Sequence, residues 1–462
     1  MSIRGIAVVA VVTLTLGLST VSGQGGGQFP GGGRGRAGGP PAAPLPETPT
    51  AVPLPTLSAE ITGPGPIFDS APSLAPGKGL AAFGYDAHEY FMSGMANGES
   101  YTTRIVVRKP RDNSKFSGLV LAEAMHGSGA AHMFEFTSIY TMASGHAAVE
   151  ILTTPPAQFV ALNEGRYRGL KLAGAQTNEI LAQAGALVRG GTLVGGPVRK
   201  MVLGGTSMTA GVLINYLPAH MVYRTPQMQR IFDGFLPMSN GAMIRDVDVP
   251  IVHVPTMHEV SGNITNRQDG DEPGKQYRLY EFSGMGHIDT RDSVRMRPNP
   301  CALPLSAFPE QAYMSVALDQ LFKWVDKGTV PPRADRILLD RDQHNDGSMM
   351  ALDEHGNPRG GVRTTYVDVP TATYTIRPAA ATPLVSNASP YIAAGGQQAA
   401  NLMCGLSTSQ VSFPADKLKV LYKNKKAYVK AVEARLEALE KAGWSLPLYR
   451  EMILGDAAKI TF

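Results

Sequence analysis

The chain predicts an α/β protein: a mostly parallel sheet flanked by helices, with an extension at each end. Three observations carry that prediction. Short apolar runs alternate with helix-periodic segments from about residue 101 to 328. Several of the runs, such as "LVLAEAM", are nearly continuous, as suits strands covered on both faces. No stretch repeats at the period of about 20–50 residues that solenoids and propellers need. With 462 residues, 43% hydrophobic and 17% charged, the chain can bury a large core. The net charge of +4 is small, and no block of five like charges occurs. Nucleic acid is therefore excluded as the main partner.

The elements follow in order. Arg4, then a mostly apolar run from Ile6 to Leu18 and the small residues Val21-Ser22-Gly23, read as an export signal over residues 1–23. The run is too short for a membrane span of about 20 residues, so no stable anchor is expected. Residues 24–56 are dominated by Gly and Pro and read as a disordered tether. The α/β core is expected over 57–332, with an irregular N-terminal part that holds short strands up to about residue 100. "YTTRIVVRKP" and "SGLVLAEAM" read as strands, "FEFTSIYTMASG" as a helix and "HAAVEIL" as a strand. Residues 153–176 read as a loop or insert. "TNEILAQAGALVRGG" has a Thr cap and an apolar face of Ile180, Leu181, Ala184 and Leu187. "VRKMVL" is a strand, and "MTAGVLINYLPAH" is a helix expected to end near Pro218. "FDGFLPMS", "VPIVHVPT" and "QYRLYEFSG" are further strands, and "AYMSVALDQLFKWVDKG" is an amphipathic helix closed by Gly328. Residues 333–462 read as an extension packed on the core. Their clearest element is "KKAYVKAVEARLEALEKAG", with Val429, Val432, Leu436 and Leu439 inward. Cys301 and Cys404 are the only cysteines; spacing alone leaves open whether they pair.

One stretch carries chemistry. In "VLGGTSMTAG" a strand ends at Leu203 and a helix starts after Ser207. A serine on such a sharp turn is held in strained backbone geometry with its hydroxyl exposed. Small neighbours are needed there, and Gly205, Ala210 and Gly211 supply them. Thr209 stands where the strict Gly-x-Ser-x-Gly pattern has its last glycine. A serine needs a histidine base oriented by a carboxylate. On this type of turn they follow in the order Ser, acid, His. His287 comes directly after the last expected strand, and Glu259 a few residues past the preceding one. Asp269 and Asp271 are rival acids in a polar loop, and His258 is a neighbour rather than the base. Met208, with Gly127 and His126 of "HGSGA", is expected to furnish the oxyanion donors. No metal-site spacing is present, and no cofactor is expected.

These features resemble the α/β-hydrolase superfamily. More narrowly, the chain resembles a bacterial branch known only as alpha/beta hydrolase domain proteins, through "HEYFMSGMANG", "YTTRIVVRKPRDNSKFSGLVLAE", "FDGFLPMSNGA", "GNPRGGVRTTYVDVPTATY" and "CGLSTSQVSFPADKLKVLY". Where many members carry a Ser-Gln-Ser-Gly turn, this chain reads Ser207-Met208-Thr209-Ala210. Where they often carry an acid, it has Met257, with Glu259 at the acid position. The resemblance implies an α/β-hydrolase fold and hydrolysis of a small-molecule or oligomeric ester. The expectation is thus a secreted or periplasmic serine hydrolase using Ser207, Glu259 and His287. Amide, lactone or thioester cleavage by the same triad, or a non-catalytic binding protein on the same fold, are the alternatives.

Overall fold

Nine strands form one twisted sheet with the spatial order β11-β10-β9-β7-β5-β6-β4-β3-β2. The strands are β2 (Thr56–Leu57), β3 (Tyr85–Ala96), β4 (Glu99–Pro110), β5 (Leu119–Ala124), β6 (Ala147–Ile151), β7 (Lys200–Thr206), β9 (Gly234–Met238), β10 (Ile251–His253) and β11 (Tyr277–Leu279). From β11 through β6 the pairing is parallel; β4, β3 and β2 close the edge antiparallel. The computed structural model describes residues 42, 44–71, 74–127, 131–260, 267–291, 293–340, 350–385 and 387–462. The expected export signal and most of the expected tether lie outside the described residues.

Strand alternation sorts the core onto two faces. Val120, Ala122, Ala124, Met201 and Leu203 join one apolar cluster with helices α2 (Thr177–Arg189) and α3 (Met208–Val222). Leu119, Leu121, Val202, Leu236 and Val252 join the other, with α4 (Glu310–Lys327) and residues of α1 (His132–Ala143). This second cluster continues into the C-terminal part. Val432 and Leu436 of α6 (Lys425–Lys441) and Ile453 of α7 (Arg450–Lys459) pack in it beside Leu318 and Leu321. A parallel pair, β12 (Phe282–Ser283) with β13 (Val362–Arg363), and a disulfide between Cys301 and Cys404 also tie residues 333–462 to the core. Among the described residues no helix is long and apolar enough to cross a membrane.

Several sequence expectations are corrected. The tether does not reach residue 56: β1 (Thr50–Ala51) pairs parallel with β8 (Tyr223–Arg224), and Val52 is buried in the first cluster. Apolar residues scattered among prolines suffice for an edge strand. The stretch before residue 100 is irregular up to Gly84, as expected, but the strand that follows is not short. β3 is twelve residues long and turns into β4 at Asn97-Gly98, both at left-handed φ (52° and 74°). Asn-Gly is the strongest short hairpin signal, and its two positive φ angles match the strand twist. Residues 153–176 hold two short helices, Ala157–Leu162 and Glu164–Tyr167. Arg166 of the second donates to Glu89 and to the carbonyls of Ile61 and Gly65, which pins the N-terminal segment. α3 runs through Pro218 to Val222, because Leu217, Ala219 and His220 are buried around the proline. Thr177 does not cap α2; its hydroxyl donates to the Thr153 carbonyl at 3.1 Å. On α6, Val432, Leu436 and Leu439 are buried as expected, Val429 packs half-buried against the same cluster, and Tyr428 is buried as well.

Candidate active site

The site follows from strand order. β5 leads through α1 to β6 on one side, and the chain then crosses to β7 on the other. Loops leaving the carboxyl ends of β5 and β7 therefore diverge and open a crevice, where ligands bind in open parallel sheets. His126-Gly127 follows β5, Ser207 follows β7, Glu259 follows β10, and His287 follows β12. The loops of four separate strands thus bring their chemistry to one end of the sheet.

Ser207 sits between β7 and α3 with φ 53° and ψ −115°, a left-handed value that a non-glycine residue adopts only under constraint. Its N–H donates to the Met238 carbonyl at 3.0 Å, and Asn240 Nδ2 donates to its carbonyl at 3.2 Å. A Cβ on Gly205 would lie 2.4 Å from the Thr209 carbonyl oxygen, so strand and helix can approach only with glycine there. Gly211 is different. A Cβ there meets nothing nearer than Asn240 Nδ2 at 3.9 Å, so smallness is not demanded at that position. Thr209, the departure from the glycine pattern, is buried and laces the turn. Its hydroxyl accepts from the Thr206 N–H and donates to the Thr206 carbonyl, each at 3.0 Å.

The structure brings the three expected side chains together in one line. His287 Nε2 lies 2.8 Å from Ser207 Oγ, and His287 Nδ1 lies 2.5 Å from Glu259 Oε1. The other carboxylate oxygen, Oε2, accepts from the Thr256 N–H at 2.9 Å and its hydroxyl at 2.6 Å. Burial pushes the Glu259 carboxyl up. The charge and hydrogen bond of His287, with His258 and Thr256, outweigh burial and hold it well below the usual carboxylate range. An ionised Glu259 accepts a hydrogen bond from Nδ1–H of His287, which leaves the Nε2 lone pair toward the serine. The rival acids lie elsewhere. Asp269 pairs with Arg336, and Asp271 with Arg278 and Arg333.

Sequence reasoning missed the supports behind these residues. His258 accepts the backbone N–H of His287 on Nδ1 at 3.2 Å. Burial, with help from the charges of His287 and Arg377, pushes its imidazole down to about 4, so it stays a neutral acceptor. Glu310, the first residue of α4, accepts the Gly286 N–H at 3.0 Å from a fully buried position. A Cβ on Gly286 would meet Thr408 Oγ1 at 2.4 Å, so the His287 loop rests directly against the C-terminal part. Thr256 carries a readable signal, a threonine three residues before a glutamate. Glu310 has none, because nothing local marks a carboxylate that will be buried under a distant loop.

On the other wall, His126 and Gly127 are half-buried. A Cβ on Gly127 would lie 3.0 Å from Met208 Sδ, so the Met208 side chain reaches over this glycine. The His126 ring meets His132 edge-on at 4.8 Å, and His132 Nδ1 pairs with Glu135 at 2.6 Å. Burial, then the charges of His132, His287 and Arg295, push the His126 imidazole down to about 3.

Among solved structures, a cold-adapted esterase from an Arctic intertidal metagenomic library is similar over 42% of this chain and 83% of its own, at 14% identity and a TM-score of 0.26. Esterase Est22 is similar over 38% of this chain and 50% of its own, at 12% identity and a TM-score of 0.28. A thermostable esterase from Pseudomonas putida ECU1011 is similar over 37% and 49%, at 16% identity and a TM-score of 0.25. The chain spans about half the length of the latter two. No curated protein sequence matches it. The family described as "Alpha/beta hydrolase domain" matches residues 43–454, nearly the whole described chain. The chain therefore belongs to the alpha/beta hydrolase domain family.

Proposed function

We propose that the protein is a serine hydrolase that cleaves carboxylic esters through a covalent acyl-enzyme. The observation that carries this reading is His287 held between Ser207 Oγ and an ionised Glu259. In this reading His287 Nε2 takes the Ser207 proton as Oγ attacks the ester carbonyl, then gives it to the departing alcohol. Water repeats the sequence on the acyl-enzyme and frees the acid. Glu259 fixes the tautomer and stabilises the imidazolium. The N–H of Met208, at the first turn of α3, and that of Gly127 receive the oxyanion, aided by the positive end of the helix dipole. Export through residues 1–23 belongs to the same proposal, and the Cys301–Cys404 disulfide suits an oxidising compartment.

Ser207→Ala tests it. Ester hydrolysis is expected to fall on the order of 10⁶-fold with an unchanged circular dichroism spectrum, and a fluorophosphonate probe is expected to label the wild type alone. Near-normal hydrolysis by the variant would end the reading.

A further inference from the structure

The C-terminal part carries a strongly charged surface that the candidate active site does not use. Residues 415–430, "ADKLKVLYKNKKAYVK", hold six lysines, one acid (Asp416) and no arginine. Six lysines against one acid give this stretch a charge of +5, beside +4 for the whole chain, so the excess charge is concentrated here. The stretch folds as α5 (Ala415–Tyr422), a two-residue link and the first turns of α6. Leu418 of α5 and Tyr428 of α6 are buried, and the Tyr422 and Tyr428 rings meet at 5.1 Å. That packing turns the opposite sides of both helices outward. Lys419, Val420 and Lys423 are exposed on α5 and its end, and Lys425, Lys426 and Lys430 are exposed on α6. Val420 is 84% exposed, the most exposed large apolar side chain among the described residues.

This arrangement works against the fold. Lys425 and Lys426 occupy the first turn of α6, which holds no acid, and the positive end of the helix dipole disfavours cations there. Lys423 ends α5 at φ 66°, a left-handed value that glycine adopts without strain. Among the described residues no acid lies within ion-pair distance of Lys423, Lys425, Lys426 or Lys430, and Lys419 reaches Asp416 only at 4.0 Å. Five exposed ammoniums around an apolar tip therefore repel one another with no internal counter-charge.

The chemistry of the patch says what complements it. Two-pronged recognition of a phosphate or carboxylate calls for arginine, and stacking of bases calls for exposed aromatic rings. Here every cation is a lysine, and Tyr422 and Tyr428 are turned inward against each other. Lysine ammoniums are point charges suited to a diffuse negative surface. An exposed valine among them suits a surface with apolar material beneath the charge. An anionic bilayer has both properties. We propose that the face formed by Lys419, Val420, Lys423, Lys425, Lys426 and Lys430 docks the folded protein on an anionic lipid bilayer. The docking is peripheral and reversible, and it does not depend on the chemistry at Ser207.

Vesicle co-sedimentation tests it, using the chain from Gln24 onward, which keeps every described residue and omits the apolar run Ile6 to Leu18. The vesicles are equal parts phosphatidylglycerol and phosphatidylcholine, or phosphatidylcholine alone. Binding to the anionic vesicles is expected at about 0.1 M salt, where the Debye length is ~10 Å, and should fade as salt rises. Lys423→Gln, Lys425→Gln and Lys426→Gln together should lower the partition coefficient on the order of 100-fold, because each ammonium near such a surface contributes a factor of about five. Val420→Ser should lower it about 3–10-fold. Lys78→Gln, Lys275→Gln and Lys327→Gln together remove the same charge from exposed positions elsewhere and should lower it less than about threefold. The patch variant should melt at the wild-type temperature or above it, since its lysines oppose the helix dipole. No binding to anionic vesicles, equal binding to neutral ones, or an equal loss in the two triple variants would overturn the inference. So would patch-dependent binding to heparin or DNA with none to vesicles, which would make the partner a soluble polyanion. A patch variant that melts well below the wild type would assign these lysines to the fold and overturn it as well.

Discussion

Glu259→Gln changes one atom, and the structure fixes what that atom must do. The Thr256 hydroxyl can rotate away, but the Thr256 backbone N–H cannot, and it points at Oε2 from 2.9 Å. A glutamine must therefore turn its carbonyl oxygen to Thr256. Its NH₂ then faces His287 Nδ1 across the 2.5 Å contact that Glu259 Oε1 now fills. Nδ1 becomes the acceptor, so the imidazole proton moves to Nε2. That nitrogen, 2.8 Å from Ser207 Oγ, then donates and can no longer take the serine proton. Restoring the working tautomer sets one N–H against another and loses the carboxylate that stabilises the imidazolium. Wrong-tautomer triads lose on the order of 10⁴-fold in turnover, or about 5 kcal/mol of transition-state stabilisation. The assay is kcat/KM on a short-chain 4-nitrophenyl ester at alkaline pH, with circular dichroism to confirm folding. Retention of more than about a tenth of wild-type activity would refute the tautomer argument. A far larger loss in Asp269→Asn or Asp271→Asn would move the acid elsewhere.

Three further outcomes follow from the geometry. Gly205→Ala sets a methyl 2.4 Å from the Thr209 carbonyl and should cost roughly 1–3 kcal/mol in urea unfolding, whereas Gly211→Ala should leave stability unchanged or slightly higher. His258 has its folded pKa depressed to about 4, so its stabilisation is complete above the unfolded value of about 6.5 and is lost as pH falls toward 4; the urea midpoint should fall less steeply over that window in His258→Gln than in the wild type, and equal slopes would contradict the burial argument. A chain beginning at Pro53 loses β1 and the buried Val52, and should be about 1.5–3 kcal/mol less stable than one beginning at Thr48; equal melting temperatures would show that this strand contributes nothing.

Much was legible in the chain itself. Strand-helix alternation, apolar runs buried on both faces and a serine between glycine-rich strand and helix are local patterns, and local sterics enforce them. The order Ser207, Glu259, His287 could be read because in a parallel sheet each strand end delivers its loop to the same side. What the sequence could not determine was which loops converge. Asp269 and Asp271 are as acidic as Glu259, and only the folded chain commits them to Arg336, Arg278 and Arg333. The buried Glu310 and Thr408 against Gly286, the ring of His258 behind His287, and the pairing of Cys301 with Cys404 join residues from 24 to 122 positions apart. Such contacts carry no local signal, because their free energy comes from packing distant segments. The same holds at the N-terminus, where Pro-rich composition reads as disorder until β8 offers Thr50–Ala51 a strand to pair with. Sequence determined the kinds of element and the candidate serine; tertiary packing decided which groups face it, because burial and charge pairing depend on neighbours in space rather than in the chain.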